Sequence, residues 1–264
     1  MERAQSLGAA VAPDVIDRYG ESGAALVVFL HGSPANRKAA LGIARALPPG
    51  IELLVPDLPG HGSRAGEPFA IDRSLEVLAE TIAREGRPAV VAGDSLGGYL
   101  ALAAGSRVPG VVAVVAGGCT FEMRGAASRL ALASDLPLRL ARQIAGARRL
   151  GRLIDRILPY VIDRDSARAV SAAGLRLEAR GESIRALAAL DTGALVEACH
   201  VPIVFVNGSR DWPTRAGERR FLARAGAAEL VLAAGSPHGA SLFAPAVFAA
   251  ASCAPSRAGA TDQI

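Results

Sequence analysis

Residues 90–99 read VVAGDSLGGY, which joins an apolar run to a G-x-S-x-G motif and then to a stretch of helical spacing. This is the pattern of a serine on a sharp turn between a strand and a helix. Glycines at Gly93 and Gly97 suit such a turn, because side chains there would collide with the neighbouring strand and helix. The motif therefore predicts that the Ser95 hydroxyl is held out of a sheet. It also places the N–H of Leu96 at a helix N-terminus, where it can stabilise an oxyanion.

Short apolar runs alternate with longer amphipathic stretches on both sides of this motif, which is typical of a parallel sheet covered by helices. The predicted strands are rich in Val, Ile or Leu and span residues 24–30, 51–55, 89–92, 111–116, 201–206 and 229–232. The predicted helices are residues 37–46, 74–85, 96–107, 215–224 and 241–251. An extended stretch over residues 11–19 is expected to add an antiparallel edge. Continuous apolarity predicts strands that are buried on both faces.

The alternation stops at residues 119–190, where Arg, Leu and Ala recur at helical spacing. We predict a helical lid there, between a first core part (1–118) and a second core part (191–252). The segment contains 13 Arg against 7 acidic residues, so it is basic. Solvated helix faces would explain that charge, but it would also suit an acidic carrier protein or an anionic substrate. The small, polar residues 253–264 predict a disordered tail.

The composition limits the classes of function. With 264 residues, 51% of them hydrophobic and 20% charged, the chain is too apolar to be disordered. No apolar run reaches the ~18 residues that a membrane span needs, and no apolar signal sequence precedes the first strand. The net charge is +4 and the basic residues are spread along the chain. We therefore expect a cytoplasmic protein that binds neither membranes nor nucleic acid. Almost all of the basic residues are Arg, with Lys38 the only Lys, and Ala is the commonest residue, which indicates a GC-rich bacterial genome.

Three cysteines, Cys119, Cys199 and Cys253, are spread through the sequence without C-x-x-C spacing. An odd number at these distances indicates neither a disulfide framework nor a zinc site. We accordingly expect no metal in the site.

A serine nucleophile requires a base and an acid that orients the base. Of the four histidines, His238 directly follows the last predicted strand, whereas His200 precedes a strand and lies at its opposite end. Asp211 comes just beyond the penultimate strand, at the end of a parallel sheet where catalytic groups gather. The order Ser95, Asp211, His238, each after a strand, favours these three residues as nucleophile, acid and base.

The other two histidines belong to early loops. His31 begins the sequence HGSP after the first buried strand, and that loop is expected to supply a second oxyanion N–H, from Ser33. His61 lies in DLPGHG, after the next strand. It has the chemistry of a base, but it precedes the serine and lies in a tight turn, so we interpret it as structural.

Together, the turn at the serine, the HG-x-P loop, the D-L-P-G-H-G turn and the late Asp and His resemble the α/β-hydrolase superfamily over nearly the whole chain. The resemblance implies an α/β-hydrolase fold, with a mostly parallel eight-stranded sheet flanked by helices and a helical lid inserted after strand 6. It also implies that Ser95, Asp211 and His238 form a catalytic triad. Asp94 replaces the usual His before the serine, as in hormone-sensitive-lipase-like esterases, which however carry HGGG instead of HGSP. Residues 93–96 also spell GDSL, but the esterase family of that name places its motif and its acid elsewhere.

The resemblance implies a serine hydrolase that cleaves a small-molecule carboxylic ester or thioester through an acyl-enzyme, without a cofactor. Alternatives of the same fold are an acyl-carrier thioesterase with an acyl carrier protein as partner, an acyltransferase, a lactonase or a carbon–carbon bond hydrolase. An Asp nucleophile is disfavoured because Ser95 holds the apex of the turn. A ligand receptor without catalysis is a third hypothesis. The candidates for lining an apolar acyl pocket are Phe121, Met123, Tyr160 and Trp212, although residues of these types are more often part of the core.

Overall fold

A seven-stranded sheet forms the centre of the computed structural model, which describes residues 16–134 and 136–258. The strands are β1 (Ile16–Gly20), β2 (Ala25–Leu30), β3 (Ile51–Pro56), β4 (Ala89–Asp94), β5 (Val111–Gly117), β6 (Ile203–Gly208) and β7 (Ala228–Ala233). Their order across the sheet is β1-β3-β2-β4-β5-β6-β7. The edge strand β1 pairs antiparallel with β3, and all other neighbours are parallel. The carboxyl ends of six strands therefore meet along one edge of the sheet.

Helices occupy the connections between these strands. They are α1 (Leu41–Ala46), α2 (Ile71–Glu85), α3 (Leu96–Arg107), α4 (Ala126–Ser134), α5 (Leu136–Ala145), α6 (Ala147–Val161), α7 (Arg164–Ala173), α8 (Leu177–Leu187), α9 (Thr192–Ala198), α10 (Trp212–Arg215), α11 (Glu218–Arg224), α12 (Ala240–Phe243) and α13 (Pro245–Ala258). Short 3-10 turns at Arg37–Ala40 and Gly62–Arg64 complete the connections after β2 and β3.

The side chains of the central strands alternate between two buried layers. On β2, Leu26, Val28 and Leu30 face a layer shared with α2, α3, α9 and α11. Val27 and Phe29 face the other layer, which is formed with α1, α12 and α13. Burial on both faces explains why these strands read as continuous apolar runs rather than alternating ones.

Between β5 and β6 the chain forms six helices within the described residues. α9 packs against α3 and α11 and so belongs to the sheet's helical layer. The preceding five, α4 to α8, contact one another, and α8 also contacts α3. Residues 119–190 are therefore helical in their described part, without a strand.

The described residues form seven strands, and the helical segment follows the fifth of them. The described edge strand begins at Ile16; the rest of the predicted extended stretch, residues 11–15, lies outside the described residues. One detail of the sequence interpretation needs correction, the predicted tail. The tail predicted from Cys253 is helical as far as Ala258, because Cys253 is buried in the layer with Phe248 and extends the apolar face of α13. Residues 259–264 lie outside the described residues.

None of the helices in the described part of the chain is long and apolar enough to cross a membrane.

Candidate active site

Ser95 sits on a strained turn between β4 and α3. Its backbone has φ 55° and ψ −117°, and among the described non-glycine residues it alone has a positive φ. Such a conformation costs about 1–3 kcal/mol and persists only where its surroundings enforce it. A Cβ on Gly93 would lie 2.2 Å from the Gly97 carbonyl oxygen, and one on Gly97 would lie 1.8 Å from the Leu30 oxygen. The two glycines are therefore required by close packing of α3 against β4 and β2, as the motif predicts.

The structure brings the three predicted side chains into one hydrogen-bonded row. His238 Nε2 lies 2.9 Å from Ser95 Oγ, and His238 Nδ1 lies 2.7 Å from Asp211 Oδ2. Asp211 is 2% exposed at its side chain, whereas that of His238 is 50% exposed. The row thus runs from a buried acid to a half-exposed base and an accessible hydroxyl, which is the order that base-assisted attack requires.

Two loops hold this row in place. The loop after β6 and the loop after β7 are joined by hydrogen bonds from Arg210 N to Ser236 O (2.9 Å) and from Gly235 N to Ser209 Oγ (2.8 Å). A Cβ on Gly208 would lie 2.2 Å from the Pro237 oxygen, so the loops approach too closely for a side chain there. Asp211 and His238, far apart in sequence, are consequently fixed as a pair.

The protonation states follow from this pairing. Burial favours neutral His238, but its hydrogen bond to Asp211 and the negative charges of Asp94 and Asp211 outweigh burial and raise its pKa above the ordinary 6.5. For Asp211, burial acts to raise the pKa, but the hydrogen bond and charge of His238, with bonds to Thr214, lower it below its ordinary value. Asp211 therefore stays ionised at neutral pH and favours a proton on Nδ1, which leaves Nε2 free to accept one from serine.

The predicted oxyanion donors are the backbone N–H groups of Ser33 and Leu96. Leu96 is the first residue of α3, and Ser33 lines the same pocket as Ser95. A Cβ on Gly32 would lie 3.4 Å from the Cβ of Ser95, so the HGSP loop passes directly beside the turn. Within the described residues neither the Ser33 N–H nor the Leu96 N–H donates a hydrogen bond. Their role as oxyanion donors stays a prediction.

His31 and His61 are fully buried and take no part in the row. His61 Nε2 lies 3.0 Å from Ser33 Oγ and its Nδ1 lies 3.0 Å from the Pro59 oxygen, so the ring links the HGSP loop to the turn after β3. Burial, together with the nearby His31, lowers the pKa of His61 to about 3. Burial also lowers the pKa of His31, whose Nε2 accepts a hydrogen bond from Leu58 N. Both rings are therefore neutral and structural.

A pocket of about 560 Å³ opens above Ser95. The predicted residues Phe121, Met123 and Trp212 line it, with Trp212 79% exposed. The prediction for Tyr160 is wrong: this residue of α6 is 85% exposed and does not line the pocket. α6 packs against α5 and α7, whereas the pocket is bounded by α4 and α8, which explains the difference.

Other lining residues were missed from sequence. They are mostly apolar and come from α3, α4 and α8: Tyr99, Ala127, Leu130, Ala131, Ile184 and Leu187. Arg180 of α8 and Arg210, beside the acid, add positive charge. Helical periodicity could show that α4 and α8 have apolar faces, but not that those faces cover the serine.

The described residues contain no group of three or more His, Cys, Asp or Glu side chains placed to hold a metal ion.

Comparison with known proteins gives a family for this architecture. The model of the Alpha/beta hydrolase family matches residues 27–251. No curated protein matches the sequence significantly.

Similar solved structures share the fold at low sequence identity. MenH from S. aureus is 14% identical with a TM-score of 0.73, covering 92% of this chain and 98% of that protein. The enol-lactonase from Burkholderia xenovorans LB400 is 17% identical with a TM-score of 0.70, covering 92% and 95%. A thioesterase domain from the curacin biosynthetic pathway is 16% identical with a TM-score of 0.70, covering 89% and 93%.

Proposed function

Because the chain belongs to the alpha/beta hydrolase family, we propose that it hydrolyses a carboxylic ester or thioester through an acyl-enzyme on Ser95. The observation that carries the proposal is the row of Asp211, His238 and Ser95, with hydrogen bonds of 2.7 and 2.9 Å, at the floor of an apolar pocket. Members of this family generally catalyse hydrolysis, and the row supplies a nucleophile, a base and an orienting acid.

The geometry supports a two-step reaction. Ser95 Oγ attacks the carbonyl carbon while its proton passes to His238 Nε2, and the N–H groups of Ser33 and Leu96 stabilise the oxyanion. His238 then gives the proton to the departing alcohol or thiol. In the second step His238 takes a proton from water, the resulting nucleophile attacks the acyl-enzyme, and the proton returns to Ser95 Oγ as the acid is released. Asp211 orients the imidazole and stabilises its charged form.

The pocket lining favours an apolar acyl group. Phe121, Met123, Ile184 and Leu187 are partly or fully buried around it, so an acyl chain or ring placed there would remove apolar surface from water. We propose that helices α4 and α8 act as a lid over this acyl group. The exposed Trp212 begins α10 directly after Asp211, and we propose that it contacts the leaving group.

A panel of substrates tests this proposal. It contains p-nitrophenyl esters and acyl thioesters of increasing chain length, an enol-lactone, and an acyl group on an acyl carrier protein. A fluorophosphonate probe measures whether Ser95 is reactive, independently of substrate choice. Turnover of esters or thioesters together with labelling supports the proposal. Preference for the lactone would favour a lactonase, and preference for the acyl carrier protein would favour an acyl-carrier thioesterase. Absence of labelling would favour a receptor without catalysis.

The rate should depend on pH in one direction. We expect kcat/KM to rise with pH through a single ionisation above 6.5, because His238 must be neutral to act as a base and its pKa is raised. Asp211 contributes no second step near neutrality, since its pKa is lowered. Initial rates between pH 5 and 9 measure this, with circular dichroism over the same range as a control for unfolding. A profile that is flat, or that falls as pH rises, would contradict His238 as the base.

A further inference from the structure

Asp94, the residue before Ser95, is a buried carboxylate that the proposed reaction does not use. The residue is 2% exposed, and Oδ2 accepts a hydrogen bond of 2.7 Å from the backbone N–H of Ser241. Ser241 lies three residues after His238. The carboxylate therefore links the turn that carries the nucleophile to the segment that carries the base.

The second oxygen, Oδ1, has no hydrogen-bond partner within the described residues. A Cβ built on Gly118 would lie 3.1 Å from Asp94 Oδ1 and 3.0 Å from His238 Cε1. The unpaired oxygen and the Cε1 edge of the imidazole ring therefore both lie next to the same point. Because Gly118 lacks a side chain, no side chain at that position separates the carboxylate from the ring.

A buried carboxylate oxygen without a donor is costly, and a nearby positive charge would offset the cost. The charged groups that act on His238 are Asp211 and Asp94, with Arg180 across the pocket; Arg210 also lines the pocket. Cys119, which adjoins Asp94, is neutral because burial raises its thiol pKa. The positive charge next to Asp94 Oδ1 therefore arises when His238 accepts the serine proton.

We propose that Asp94 is a positioning residue, a second carboxylate whose charge stabilises the protonated His238 and whose bond to Ser241 holds the base beside the nucleophile. An interaction that strengthens as the imidazolium forms lowers the barrier rather than the substrate's dissociation constant. The charge of Asp94 also contributes to the raised pKa of His238. The catalytic consequence rests on the proposed function, whereas the effect on the imidazole does not.

The test replaces the carboxylate with neutral groups. Asp94→Asn keeps an oxygen that can accept from Ser241 N and removes the charge. Asp94→Ser removes the charge with a smaller side chain and serves if the Asn variant fails to fold. The His238 pKa is measured by NMR titration of its ring, assigned by the loss of that signal in His238→Gln. Asp72→Asn, which makes the same chemical change at a carboxylate that is 77% exposed, is the matched control.

We expect the His238 pKa to fall by about half a unit or more in both neutral Asp94 variants and to stay unchanged in Asp72→Asn. We expect kcat to fall about tenfold with little change in KM. An unchanged His238 pKa in a folded neutral variant would overturn the proposal. Because the titration needs no turnover, a lowered pKa in a protein that hydrolyses nothing would uphold the electrostatic role and reject the proposed hydrolase activity instead.

Discussion

Ser95→Ala is expected to lower kcat at least ~10³-fold, because the oxyanion donors and the pocket alone retain only a small part of the rate enhancement. The fold should survive the substitution. Alanine also carries a Cβ, so it meets the same strain at φ 55° as serine does, and the strained turn is enforced by the packing of Gly93 and Gly97. The measurements are kcat on the best substrate of the panel, fluorophosphonate labelling and the thermal midpoint.

Ser33→Ala is the matched control for this variant. It removes a serine hydroxyl from the same pocket but leaves the backbone N–H that is proposed to bind the oxyanion. The interaction lost with this hydroxyl is its 3.0 Å hydrogen bond with His61 Nε2. We expect Ser33→Ala to retain most of its turnover and all of its labelling. Near-normal turnover by Ser95→Ala would reject Ser95 as the nucleophile.

Much of this site could be predicted because a parallel sheet brings the carboxyl ends of its strands together at one edge. The strands are apolar along their whole length, so their boundaries show in the sequence. Each polar residue just past a strand is then expected at the same edge. That argument selected Asp211 and His238. In the structure the two side chains are within hydrogen-bonding distance of each other, and His238 is within hydrogen-bonding distance of Ser95.

The pocket-lining residues of the helical segment could not be predicted, and the reason is also physical. Periodicity identifies the apolar face of a helix but not the surface that this face covers. Tyr160 and Ile184 both lie on amphipathic helices of residues 119–190, yet Ile184 lines the pocket and Tyr160 faces solvent. The choice depends on the packing of α4 against α8 and of α6 against α7, which no local pattern specifies.

The bond between Asp94 and Ser241 could not have been found from sequence either. Its partners are 147 residues apart, and the donor is a backbone N–H that any residue except proline provides. The substitution of His by Asp before the serine was visible, but its meaning depends on Gly118 and on the path of the loop after β7. Contacts of backbone groups across a tertiary interface leave no residue-type signal.

His238→Ala should lower kcat at least ~10³-fold, as Ser95→Ala does, whereas His61→Ala should mainly lower the free energy of unfolding. His61 is fully buried, packs edge-on against Phe69 and bonds to Ser33 Oγ. Its removal leaves a cavity and an unsatisfied hydroxyl, which together cost about 2–4 kcal/mol.

Denaturant unfolding and kcat, measured on both variants, separate these two roles. We expect His238→Ala to unfold at nearly the wild-type denaturant concentration, because its ring is half exposed, and His61→Ala to keep kcat within about tenfold while it remains folded. The kcat of the double variant Ser95→Ala/His238→Ala should be no lower than that of either single variant, because the effects of residues that act as a unit are not additive. A folded His61→Ala that loses as much activity as His238→Ala would mean that the buried ring takes part in proton transfer. That result would reject the assignment of the base to His238 alone.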